Sequence, residues 1–128
     1  MAVDILIAED EPSILEALTF VLRRAGWTVQ TVTDGEAVMN AVRREAPRML
    51  VLDIMLPKRS GFEVLKQIRT SEAAALPVLV LTAKGQQQDR QVAEQFGADS
   101  FVTKPYSNAD VVDAVRALIG EPATADSR

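Results

Sequence analysis

The chain has 128 residues, 18 acidic against 14 basic side chains, a net charge of −4, and neither cysteine nor histidine. That length suits one domain. The charge balance argues against gripping a phosphate backbone unaided, and the two missing residue types exclude disulfides, thiolate metal sites and any histidine-based triad.

Two hydrophobic periods alternate along the chain. Residues 3–8 form a short apolar run that predicts a strand. Pro12 opens a helical segment with Ile14, Leu18, Val21, Leu22 and Ala25 on one face and Gly26 as its stop. Residues 28–32 alternate like a strand, and Thr33 and Glu36 have the spacing of a capping box for a helix that runs to about Glu45. Residues 48–53 predict the third strand. Ser60 and Glu63 repeat the capping-box spacing before a third helix, which presents Phe62, Leu65 and Ile68 to the core and ends near Ser71. Residues 77–83 predict the fourth strand, residues 86–96 a glutamine-rich helix closed by Gly97, and residues 100–103 the fifth strand. Ser107 and Asp110 cap a last helix with Val111, Val115 and Leu118 at helical spacing and Gly120 at its end.

Five strand–helix units in strict alternation predict an α/β domain with a parallel sheet and helices on both faces. The domain is expected over residues 1–120, with residues 121–128 a flexible tail or linker stub. No apolar run approaches the roughly 18–20 residues of a membrane span. The N-terminal "MAVDILIAEDEP" carries acids where a signal peptide is basic, so a cytoplasmic location without membrane contact is expected.

In "MLVLDIMLPKRSG", residues 49–61, an apolar strand ends on a carboxylate, Asp53, with Ile54, Met55 and Leu56 around it. A charge with such poor access to water needs a cation or a chemical task. Ligands of open α/β sheets bind outside the carboxyl ends of the strands. There stand Glu9, Asp10 and Glu11 after the first strand, Asp53 after the third, Thr82 with Ala83 and Lys84 after the fourth, and Lys104 with Pro105 after the fifth. Taken singly, each is an ordinary solvated or capping group, and Glu11 reads as just that. Together they demand a cation, and oxygen ligands without histidine or cysteine select Mg²⁺, with Mn²⁺ or Ca²⁺ as alternatives. Such a set suits phosphoryl transfer, in which aspartate becomes an acyl phosphate and neighbouring groups neutralise the phosphoryl oxygens.

The ordered motifs "ILIAEDEP", "VLDIMLPKRSGFEVL", "VLVLTAKG" and "GADSFVTKPYS" resemble the receiver domain of two-component response regulators over about residues 3–119. The resemblance implies a flavodoxin-like (βα)5 three-layer sandwich with strand order 2-1-3-4-5. It implies Asp53 as phosphoacceptor, Asp10 as direct Mg²⁺ ligand, Glu9 supporting the metal through water, and the Met55 backbone carbonyl as a further ligand. Thr82 is then the hydroxyl that bonds the phosphoryl group, with the small Ala83 beside it. Lys104 is its ammonium partner, joined to Pro105 by a cis bond, and Phe101 is the switch aromatic. Tyr106, the only tyrosine, is not at that position. The implied partner is a sensor histidine kinase or phosphotransfer protein. The implied output is a changed surface on the fourth helix, fifth strand and last helix, which is also the homodimer surface. Such a domain is a signalling switch that catalyses only its own phosphoryl transfer and autodephosphorylation.

Three rivals share features with this reading. A flavodoxin needs a Ser/Thr/Gly-rich phosphate loop where "EDEP" stands with the wrong sign. A haloacid-dehalogenase-type phosphatase pairs aspartates two residues apart, but the residue two after Asp53 is Met55. A non-phosphorylated receiver-like interaction module usually lacks an acceptor, lysine or acid, and none is missing here. The chain also resembles the receivers of winged-helix transcription factors, so a DNA-binding output domain is expected if the parent chain is longer. Those receivers carry an acid and an arginine that pair across a dimer where this sequence has Ser100 and Ala114. Asp110 and Arg116 of the last helix read as solvated surface charges.

Overall fold

A computed structural model describes residues 2–82, 91, 94–103 and 106–122. Five strands, β1 (Ile5–Ala8), β2 (Val29–Val32), β3 (Met49–Asp53), β4 (Val78–Thr82) and β5 (Ser100–Thr103), form one sheet. Their order is β2-β1-β3-β4-β5 and every neighbouring pair is parallel, as expected for the flavodoxin-like order. The helices are α1 (Pro12–Ala25), α2 (Val38–Glu45), α3 (Gly61–Arg69) and the C-terminal α4 (Asn108–Ile119). Of the helix expected over 86–96, Gln91, Glu94 and Gln95 are described and are helical.

Side chains alternate across the sheet, so each central strand feeds two cores. Leu6, Leu50, Leu52 and Val80 meet α2 and α3, whereas Ile7, Met49, Val51 and Leu81 meet α1 and α4. β1, β3 and β4 are buried throughout their lengths. That burial on both faces explains why they read as continuous apolar runs. Among the described residues, α2 and α3 cover one face and α1 and α4 the other, which makes three layers. No helix among the described residues is long and apolar enough to cross a membrane.

Several boundaries differ from the sequence pattern. The first two strands begin later because Thr28 and Asp4 bond each other: the Asp4 N–H donates to the Thr28 hydroxyl at 2.8 Å and the Thr28 N–H to the Asp4 carboxylate at 2.9 Å. The first capping device is shifted by one residue. Asp34, not Thr33, accepts from the Ala37 N–H at 2.9 Å and caps a 3₁₀ turn, Gly35–Ala37, ahead of α2. Asp34 competes for the local N–H groups as effectively as threonine does. The Ser60–Glu63 and Ser107–Asp110 boxes form as read. α3 stops at Arg69. Val64, Leu65 and Ile68 form its buried face, while Phe62 is only partly buried and meets Phe96 edge-on at 6.1 Å. Glu11 takes the N-cap position of α1 without a side-chain cap bond and stays exposed.

At the amino end of the sheet, Arg69 donates to the carbonyls of Ala74, Leu76 and Gly97 and pairs with Asp99 at 2.8 Å. Asp99 also accepts the Val78 N–H, so one guanidinium ties the starts of β4 and β5 together. At the carboxyl end, α3 starts against the backbone that carries Asp53. A Cβ on Gly61 would lie 2.6 Å from the Asp53 carbonyl oxygen and 2.6 Å from the Ile54 Cα. Gly61→Ala is therefore expected to cost about 1–3 kcal/mol as overpacking against fixed backbone. A fall in the urea midpoint measures it; an unchanged midpoint would contradict the close approach.

Candidate functional site

The strand order reverses between β1 and β3, and the crevice at their carboxyl ends is where this topology places ligands. β1 stops at Ala8, so Glu9 and Asp10 fall on the rim. The Glu9 N–H still donates to the Val32 carbonyl at 3.1 Å, which fixes its backbone as an extension of the ladder. Its side chain is fully buried, and Oε2 accepts the Glu11 N–H at 3.0 Å. Asp10 is exposed. Asp53 ends β3 at 3% exposure, with Oδ1 accepting the Met55 N–H at 3.0 Å.

One carboxylate oxygen from each of Glu9, Asp10 and Asp53 lies within 4.8 Å of the other two. Ile54 and Leu56 are buried beside Asp53, which keeps water away from one side. Each pair of unit charges at such a separation repels by about 3 kcal/mol at an effective dielectric of ~20. A cation relieves that repulsion. The donor set is all oxygen and hard, with one solvent-facing member, so it fits Mg²⁺, which keeps part of its water shell and takes one or two carboxylates. Met55, whose N–H is on Asp53, is 70% exposed.

Thr82 ends β4 at 1% exposure. Its hydroxyl donates to the Thr103 hydroxyl on β5 at 3.3 Å. Phe101 is partly buried against the core on the α2 and α3 side, the face that also carries Val80. The structure thus brings Glu9, Asp10 and Asp53 together and places Thr82 at the carboxyl end of β4, with Phe101 on the adjoining strand opposite Val80, two residues short of that end. Ala83, Lys84, Lys104 and the Lys104–Pro105 bond lie outside the described residues.

Sequence reading missed three residues here. Gly61 registers in the sequence only as the residue after a cap, although its lack of a side chain lets α3 approach Asp53. Thr103 becomes a site residue only through the register that sets it opposite Thr82. Tyr106 is not at the switch position, yet its phenol feels the charges of two of the acids. Its buried hydroxyl has no hydrogen-bond partner among the described residues. Its phenol is pushed up to about 12, chiefly by burial and then by the negative charges of Glu9 and Asp53.

The charges of the last helix are not simply solvated. Asp110 accepts the Ser107 N–H at 3.0 Å. Arg116 pairs with Glu121 at 2.8 Å and lies over the Trp27 ring at 5.8 Å.

Because Tyr106 is the only tyrosine, phenolate absorbance after a pH jump reads it directly. The midpoint is expected near 12 in the native protein. It should fall in Asp53→Asn, which removes one of the two charges, while staying above the ordinary value of about 10 because burial persists. Raising the phenol's folded pKa means that its contribution to stability is whole below about pH 10 and fades as the pH climbs through the folded value. An Asp53→Asn midpoint equal to the native one would remove Tyr106 from the site's field.

A family model for the response regulator receiver domain matches residues 5–116. TcrX of Mycobacterium tuberculosis, a transcriptional regulatory protein by name, is 44% identical over 117 residues, covering 91% of this chain and 50% of its own length. The alkaline phosphatase synthesis transcriptional regulatory protein PhoP of Bacillus subtilis is 41% identical over 115 residues, covering 90% of this chain and 48% of PhoP. The chain spans about half the length of the curated relatives it matches. Among solved structures, the receiver domain of sensor histidine kinase PA1611 from Pseudomonas aeruginosa, which holds magnesium in its active-site cleft, superposes with a TM-score of 0.84. It is 28% identical, and the match covers 94% of this chain and 100% of that one. The receiver domain of NtrX from Brucella abortus gives 0.82 at 30% identity, covering 90% and 98%. With the family model spanning most of the chain and the sheet order and acidic rim in agreement, this chain belongs to the response regulator receiver domain family of two-component systems.

Proposed function

We propose that Asp53 accepts a phosphoryl group from the phosphohistidine of a sensor histidine kinase or phosphotransfer protein, or from a small acyl phosphate. The observation that carries this reading is a nearly buried carboxylate at the end of β3, grouped with Glu9 and Asp10 within 4.8 Å at the reversal of strand order. A carboxylate oxygen of Asp53 attacks phosphorus, the bond from phosphorus to the donor's nitrogen or oxygen breaks, and the donor leaves with that electron pair. Glu9, Asp10, Asp53 and the Met55 backbone carbonyl are the groups that would hold Mg²⁺. When bound, the ion offsets the carboxylate charges and polarises a phosphoryl oxygen.

The chain's own groups do the rest. The Met55 N–H, already on Asp53, orients the carboxylate. Lys104 supplies the ammonium for one phosphoryl oxygen, and the Thr82 hydroxyl donates to another. As Thr82 moves toward the phosphoryl group, Phe101 turns inward, and the surface made by the fourth predicted helix, β5 and α4 changes. A phosphoryl group shifts this equilibrium only by its preference for one state, and a few kcal/mol suffices.

Residues 1–120 act as the receiver, with residues 121–128 as its tail, in the cytoplasm. The relatives' greater length supports attachment to an output module, and the regulatory names of TcrX and PhoP favour a DNA-binding one. Ser100 and Ala114 argue against the familiar ion-paired dimer. A homodimer on this surface then forms through other contacts.

Incubation with acetyl phosphate and Mg²⁺, read by intact mass, is expected to add one phosphoryl group to the native chain. Asp53→Asn or excess EDTA should reduce the addition to background; labelling that survives Asp53→Asn would end this reading. By resemblance, Met55 and Lys84 flank the acyl phosphate, and both are long enough to hinder water. Lys84→Ala is therefore expected to hasten decay of the phosphorylated form, and slower decay in that variant would contradict the shielding role.

A further inference from the structure

Thr82 and Thr103 are direct register partners on β4 and β5. Register partners on neighbouring parallel strands project to the same face. That face also carries Phe101, two residues before Thr103, against the core under α2 and α3. Thr82 is 1% exposed, so bulk water is a poor substitute for a protein partner, and a buried hydroxyl left without one is penalised. Thr103 supplies that partner at 3.3 Å. The separation is long against the roughly 2.7–2.8 Å usual for hydroxyl pairs, so the bond is weak and readily exchanged.

We propose that Thr103 is a positioning residue that holds the Thr82 hydroxyl toward β5 in the unphosphorylated protein and must give it up when a phosphoryl group on Asp53 claims it. The inference rests on the role assigned to Thr82 above. A hydroxyl has one proton to donate. Thr82 cannot give that proton to Thr103 and to a phosphoryl oxygen at once. Breaking the Thr82–Thr103 bond is therefore charged against the phosphorylated state, and the latch favours the resting one. Because the bond joins the phosphoryl-seeking hydroxyl to the strand that carries Phe101, it couples the two groups that switching moves. Thr103 itself touches no reacting atom; it acts through Thr82.

The test uses the full chain at saturating Mg²⁺, with beryllofluoride as the phosphoryl mimic and its apparent affinity read by NMR titration. Thr103→Val keeps the β-branched shape and deletes the hydroxyl, so it suits the strand. It is expected to tighten beryllofluoride binding about two- to fivefold, the worth of one weak hydrogen bond. Thr103→Ser, which restores the hydroxyl, should bind like the native chain. In a Thr82→Ala background the effect of Thr103→Val should vanish, which a general change in packing or stability would not produce. Thr103→Ala provides the same deletion should the valine variant fail to fold. Unchanged or weaker binding in both hydroxyl deletions overturns the proposal, as does a gain that persists without Thr82. If Thr82→Ala alone leaves the affinity untouched, the role of Thr82 fails first, and the latch fails with it.

Discussion

Everything at the rim of this sheet follows from carboxylates gathered where water is scarce. Glu9 is fully buried and Asp53 nearly so, and both reach within 4.8 Å of each other and of Asp10. Their repulsion weakens the fold unless positive charge enters, and they cannot move apart. Glu9 is fixed by the ladder bond of its N–H to Val32, and Asp53 is the last residue of a strand buried on both faces. A divalent cation held between these carboxylates would relieve that repulsion.

The rest of the molecule makes that rim rigid. β1, β3 and β4 are anchored by two separate apolar layers, so the acidic residues project from ends that cannot relax. The close approach of Gly61 to the Asp53 carbonyl locks the following turn. The Arg69 cluster closes the opposite end of the sheet. Against these fixed parts, the Thr82–Thr103 contact is one weak hydroxyl pair. A rigid charged site next to a lightly held hydroxyl is a sound arrangement for a switch, because a small ligand free energy is not dissipated in the scaffold.

Membership of the receiver family accounts for the sheet order, the acidic rim and the order of the motifs. Receiver domains of response regulators partner with histidine kinases or phosphotransfer proteins and are often linked to output domains. They are signalling switches and not classical enzymes. Tyr106 adds a phenol whose ionisation is opposed by burial and then by the charges of Glu9 and Asp53.

The order of strands and helices, the two-faced burial of the central strands and the identity of the rim carboxylates were legible in the amino-acid sequence. Each depends on local periodicity or on motif order. Two capping boxes were legible for the same reason, since they are bonds within four residues. The shifted cap at Asp34 was not, because Thr33 and Asp34 are chemically near-equivalent and only backbone geometry chooses between them. The late starts of β1 and β2 depend on a side-chain exchange between Asp4 and Thr28, which are 24 residues apart. Thr103 and Tyr106 likewise take their places through strand register and burial, which bring together residues with no local signal. The sequence by itself determined which groups line the rim. Only tertiary structure decided which hydroxyl holds which and how deeply each charge is buried, because those depend on distances across strands that no local pattern encodes.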